Sequence, residues 1–132
     1  MNIVKLQGTD SALYELVGPL VMNPAVLRQN NNYPFKTGIR YVWYVAVDQD
    51  MVVGFLPVKK TTGGQYLIDN YYLRGDDAAV LERMLDLVKS DQIEPSELWV
   101  VAHKRHTDCF RQNGFRIRLE WKNYDKMQYC TV

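Results

Sequence analysis

The chain has 132 residues, 47% of them hydrophobic and 12% aromatic, which is the length of one ordinary domain with enough apolar surface to order it. That composition excludes a disordered tail or linker. Sixteen basic residues against fifteen acidic ones leave a net charge of +1, so nothing marks a nucleic-acid-binding surface or a partner for anionic membranes.

Met1 to Gly8 lacks the apolar core of a signal peptide, and no apolar run approaches the ~20 residues of a membrane span. The expectation is a soluble cytoplasmic protein. Cys109 and Cys130 stand outside any Cys-x-x-Cys or Cys/His ligand spacing, so they are read as two free thiols. Thr9 or Asp10 caps a short helix with an apolar face of Leu13, Leu16, Val17 and Leu20, which Gly18-Pro19 is expected to break or bend. Asn23-Pro24 starts a second helix, and Asn30-Asn31-Asn32-Tyr33-Pro34 reads as a loop.

Three strands in an antiparallel meander follow: Tyr41 to Val47, Met51 to Val58 and Gln65 to Leu73. Pro57 cannot donate to a central ladder, so it is expected at a bulge or a strand end. Residues 76 to 90 give the clearest helix, with Val80, Leu81, Met84, Leu85, Leu87 and Val88 on one stripe and Asp76 and Asp77 at its start. Pro95 closes the connection to a buried strand, Glu97 to His103. A short helix, His106 to Asn113, ends at Gly114, and Phe115 to Glu120 and Tyr124 to Tyr129 are two further strands. The fold class is α+β, a single domain over residues 1–132. Its mixed, mostly antiparallel sheet has about six or seven strands flanked by about four helices, and a helical crossover makes one pair parallel.

This order of elements resembles the GNAT superfamily of acyl-CoA-dependent N-acyltransferases. The phrases Val52-Val53-Gly54-Phe55-Leu56, Asn113-Gly114-Phe115 and Asp125-Lys126-Met127 are similar to that family's second hairpin strand, last helix end and final strand. The resemblance spans residues 35 to 130 or so and implies acetyl-CoA as co-substrate. The family's loop, Q/R-x-x-G-x-G/A, binds the pyrophosphate with backbone amides at a helix N-terminus. Arg74-Gly75-Asp76-Asp77-Ala78-Ala79 stands in its place, with Arg74 and Ala79 matching and Asp77 where the central glycine belongs. Aspartate adds bulk and negative charge beside an anion, so an acid-capped helix is an equal reading of the segment. Tyr71, Leu73, Arg74, Gly75, Asp76, Asp77, Ala78, Ala79 and Lys104 are the candidate cofactor-binding residues, Lys104 and Arg105 also reading as solvated loop charges.

Under the resemblance, the amine-deprotonating carboxylate falls at Asp69, which alternation places with Leu67, Tyr71 and Leu73 on an apolar surface that raises its pKa. The family's tyrosine acid falls at Phe110, which has no proton to give, and its asparagine falls at His103, which titrates near neutrality. Asp69 and His103 are thus the candidate catalytic residues; each also reads as a hydrogen-bonded structural group. Tyr33 and Trp43 are candidate acceptor-binding residues, and the two histidines have no metal-ligand spacing. Two functions follow: an N-acetyltransferase acting on a primary amine of a small molecule or peptide, or a catalytically inactive GNAT-like module binding a ligand or protein partner. A third reading is a small subunit that forms a homodimer through a strand edge or aromatic surface.

Overall fold

The computed structural model describes residues 1–91 and 97–130, so Pro95 lies outside the described residues. In chain order the elements are β1 (Asn2–Gln7), α1 (Ser11–Val21), α2 (Pro24–Gln29), β2 (Tyr41–Asp48), β3 (Met51–Lys60), β4 (Tyr66–Ile68) and β5 (Tyr72–Leu73). After a 3-10 turn at Arg74–Asp76 come α3 (Ala78–Asp91), β6 (Leu98–His103), a second 3-10 turn, α4 (Thr107–Gln112), β7 (Phe115–Glu120) and β8 (Tyr124–Tyr129). Among the described residues eight strands form one sheet in the order β1-β2-β3-β4-β6-β8-β7, with β5 also on β3. The pair β4–β6 is parallel and the other ladders are antiparallel.

Alternation along the strands sends side chains to two faces. Tyr44, Ala46, Leu56, Val58, Ile68, Leu98 and Val100 pack under α3 and α4, whose contribution includes Val80, Leu81, Met84, Leu85, Val88 and Phe110. Trp43, Val45, Phe55 and Tyr72 face the other way, onto Leu13 and Val17 of α1 and Val26 of α2. The α3 stripe expected from a period of 3.6 is therefore the helix face that is buried. Both early caps form as the sequence requires: Asp10 Oδ1 accepts from Ala12 N at 2.9 Å and Asn23 Oδ1 from Ala25 N at 2.8 Å. Asp10→Ala should cost about 1 kcal/mol of stability by urea denaturation, the usual worth of an N-cap oxygen.

Four expectations are corrected. β1 is a strand that the reading of residues 1–8 passed over, and it brings the sheet to eight strands. α1 continues past Gly18-Pro19 to Val21, because packing of Leu13 and Val17 on the sheet outweighs one missing amide in the last turn. Pro57 lies inside β3 opposite Trp43, and the bulge is instead at Val53, since Ala46 pairs with Gly54 and Val47 with Val52. Pro57 is tolerated because β4 pairs with β3 at Val58–Lys60 and β5 at Gly54–Phe55, which leaves residue 57 facing the interruption between them.

The fourth correction positions the site. The strand expected from Gln65 to Leu73 is broken at Asn70, whose φ is +53°. That left-handed residue shifts the alternation by one position, so Tyr71 and Leu73 share the α3 face with Ile68, while Tyr72 turns toward Phe55. Asp69 is thereby separated from Tyr71 and Leu73, two of the partners that unbroken alternation gave it.

Candidate functional site where two parallel strands part

β4 and β6 pair through Tyr66–Ile68 and Leu98–Val100. Beyond the Asn70 break, β5 leans on β3 while Val101–His103 stay with β8, so the two strands diverge toward their carboxyl ends. Crevices at such strand ends are where ligands bind in open α/β sheets.

Side chains of this chain occupy the divergence. The Tyr71 hydroxyl accepts from the backbone amide of His103 at 3.0 Å and lies 2.7 Å from His106 Nδ1. His106 Nε2 is 2.7 Å from Asp76 Oδ1. A carboxylate only accepts, so Nε2 carries the imidazole hydrogen, Nδ1 is bare and Tyr71 donates to it. The bonds thus run in one direction: His103 amide to Tyr71 oxygen, Tyr71 hydroxyl to His106, His106 to Asp76. Rings fill the space around them, the Tyr71 centroid standing 5.4 Å from those of His103 and His106 and 5.5 Å from Phe110.

The mouth is bridged by charge. Arg105 Nε donates to Asp76 at 3.0 Å and its Nη2 to the Gln29 carbonyl at 3.1 Å, tying α2 to both strand ends. Burial works to raise the Asp76 pKa, but hydrogen bonds from Arg105 and His106 outweigh it and hold the carboxyl below its ordinary value. Burial lowers the His106 pKa; Asp76 opposes that shift without reversing it. His103 is lowered to about 4, chiefly by burial and then by Arg105 and His106, so it is neutral throughout the physiological range. Asn30 fixes its tautomer. The Asn30 amide nitrogen donates to the Tyr33 carbonyl and to Asn70 Oδ1, both at 3.0 Å, leaving Oδ1 to accept from His103 Nε2 at 3.2 Å.

The other candidates fall in three places. Asp69, at the strand break, accepts from Asn70 N at 2.9 Å, and burial raises its pKa against the opposing effects of that bond, Lys36 and Lys59. Arg74, Gly75, Asp77 and Ala79 line a groove of about 650 Å³ that also holds Asp48 and Arg83, while Leu73 is buried beside it. Lys104 points away, to Asp125 at 2.6 Å and Glu120 at 3.1 Å. Tyr33 is exposed near Tyr124, whereas Trp43 is 1% exposed and donates to Thr37 inside the α1 side of the core, so it presents no surface to an acceptor. His106 and Asn30 complete the network without having been singled out as site residues.

Several groups that the resemblance assigns to acetyl-CoA are engaged within the chain itself. The amides that would receive its pyrophosphate at the start of α3 are already engaged, Asp77 Oδ1 accepting from Ala79 N at 3.0 Å and Val80 N at 3.4 Å. Tyr71 takes the His103 amide on the open edge of β6, and the ion pair of Asp76 and Arg105 spans the mouth. Ala78 and Ala79, the first residues of α3, add no donor beyond the backbone.

No family model matches the chain, and no curated protein does. Its fold, however, is that of solved structures along nearly their whole length. An acyl-CoA N-acyltransferase from Pseudomonas aeruginosa superposes with a TM-score of 0.72 at 14% identity, covering 98% of this chain and 100% of that one. ElaA of Escherichia coli gives a TM-score of 0.70 at 13% identity over 96% of this chain and 98% of that one. A Bacteroides thetaiotaomicron protein assigned to the GNAT family gives 0.61 at 12% identity over 100% and 88%. The chain therefore has the GNAT fold. At these identities the likeness establishes architecture, and activity has to be argued from the site. Among the described residues no helix is long and apolar enough to cross a membrane, and no cluster of three or more His, Cys, Asp or Glu side chains is placed to hold a metal ion.

Proposed function

We propose that this chain is a non-catalytic GNAT-fold module that binds a ligand or protein partner and has given up the acyl-CoA site of its fold. The observation that carries this reading is the Asp77 carboxylate seated on the amides of Ala79 and Val80. A tethered carboxylate holds those donors at high effective concentration and repels a second anion from the same place. The Tyr71 hydroxyl across the divergence supports it from the other side.

Calorimetry with acetyl-CoA and with free CoA tests it. The expected result is no binding at millimolar cofactor; saturation in the micromolar range overturns the proposal. Asp77→Gly removes the competing carboxylate at a stability cost of only a few tenths of a kcal/mol, because glycine is itself tolerated at an N-cap. Acetyl-CoA binding that emerges in that variant alone would identify Asp77 as the group that excludes the cofactor.

A second reading, an N-acetyltransferase moving an acetyl group from acetyl-CoA to a primary amine, is favoured by Asp69. Its raised carboxyl pKa at the strand break suits a group that takes a proton from an ammonium through water. On this reading Asp69→Asn abolishes turnover of a model amine while leaving the fold intact. His103, with its pKa lowered to about 4 chiefly by burial, is a poor proton acceptor near neutral pH.

A further inference from the structure

We propose a binding site for a small anionic ligand with a flat apolar body, in a groove at the opposite end of α3 from the Asp77 cap. The groove lies on the α3 side of β1 to β4, beyond the point where α3 ends at Asp91, and encloses about 640 Å³. That is the size of pocket that buries a single-ring or double-ring molecule. This site is independent of the acyl-CoA question, since it shares no residue with the strand divergence.

Its floor is apolar because of the sheet register. Val42 pairs with Val58, so both point to the α3 face, and Tyr66 follows on the neighbouring strand opposite Lys60. α3 covers this face further along, but here Val42 and Tyr66 remain half-buried above the buried Tyr44. A half-buried apolar floor inside a concave surface gains free energy when a flat molecule displaces its water.

The rim supplies the charge. Lys5 is held by Asp91 at 3.0 Å and lies 5.8 Å from the Tyr44 ring centroid, and Tyr44 donates to the same carboxylate at 2.8 Å. Lys5 and Asp91 therefore offset each other and fix one wall. Arg40 and Lys60 are brought together on the opposite wall by the Lys60 N to Arg40 carbonyl bond of 2.9 Å. Among the described residues neither side chain meets a carboxylate. Two uncompensated cations beside an apolar floor match a carboxylate or sulfonate carried on an aromatic ring, with the ring on Val42 and Tyr66 and the anion between Arg40 and Lys60.

Anilinonaphthalene sulfonate has this chemistry and is fluorescent when bound, so it serves as the probe with the full chain. The expected result is saturable one-to-one binding that weakens with added salt. In the double variant Arg40→Glu, Lys60→Glu, affinity should fall by about tenfold or more as attraction becomes repulsion. Arg111→Glu, on α4 and outside this groove, should leave it unchanged. Amide chemical-shift changes on titration should centre on residues 40, 42, 60 and 66. Binding unaltered by the double variant, shifts centred elsewhere, or no saturation would each overturn the assignment. Both substitutions are at exposed positions, so the fold is retained in the comparison.

Discussion

Replacing Tyr71 by phenylalanine is expected to lower the unfolding free energy by about 2–4 kcal/mol, because the change strands two buried polar groups at once. The His103 amide would lose its acceptor at 3.0 Å and His106 Nδ1 its donor at 2.7 Å. The ring itself stays, with its neighbours His103, His106 and Phe110, so no cavity opens and the loss is one of hydrogen bonding alone. Tyr71 is 2% exposed, and water cannot take the place of the missing hydroxyl without moving those rings. Urea denaturation reads the cost, and amide hydrogen exchange at His103 should quicken in the same variant. Tyr33→Phe, at a hydroxyl that is exposed, is the control and should change stability by no more than about 0.5 kcal/mol. Equal unfolding midpoints for Tyr71→Phe and the native chain would mean the divergence is not braced through this hydroxyl.

Much of the architecture is legible in the sequence because the signals for it are local. The β2–β3 hairpin is dense in β-branched and aromatic residues on both sides of Asp48-Gln49-Asp50, and Gln49 and Asp50 both take left-handed turn conformations, which Asp50 as a short polar residue tolerates. The α3 stripe and the Gly114 cap, at φ +95°, are equally local. β1 is less so: six residues at a sheet edge with burial on alternate positions at best carry little periodic signal before a pairing partner is known. The break at Asn70 escapes for a different reason. Asparagine permits a left-handed backbone without requiring it, and only the separate pairing of β4 and β5 with β3 forces the choice here.

The candidate site divides along the same line. Asp77 is visible as a departure from a glycine, since its negative charge opposes a phosphate whatever the fold around it. That its carboxylate caps α3 is then a short-range consequence. The network behind it joins residues far apart in the chain: His106 to Asp76 across 30 positions, Tyr71 to His106 across 35, and Asn30 to His103 across 73. No local pattern marks His106 or Asn30, and each gains its role only when the sheet parts and leaves strand-edge groups in need of partners.

Acidification from pH 7 toward pH 4 should destabilise the protein progressively, by several degrees in thermal midpoint, with the two histidines as the cause. Both are held neutral in the folded state, His103 with its pKa lowered to about 4 and His106 lowered as well, each chiefly by burial. In the unfolded chain both titrate near the ordinary value of about 6.5. Below that pH the unfolded state binds protons that the folded state refuses, so the stability present above about pH 6.5 is lost as pH falls toward the folded-state values. Asp69 acts in the opposite sense, because its raised pKa favours proton uptake by the folded form. Asp76, Asp91 and Asp125, all lowered, add their losses only as the pH drops through the ordinary carboxylate range. The transition between pH 6.5 and 4 therefore belongs to the histidines. For His106 the bond pattern gives a structural reason: a proton on Nδ1 would point at a Tyr71 oxygen that already accepts from His103, leaving the Tyr71 hydrogen without an acceptor. His106→Gln keeps a side-chain amide that can donate toward Asp76 and accept from Tyr71 but cannot be protonated in this range. Its thermal midpoint should start lower at pH 7 and fall less steeply toward pH 4. A slope equal to that of the native chain would remove His106 from the account and leave His103 as the group that the fold holds uncharged.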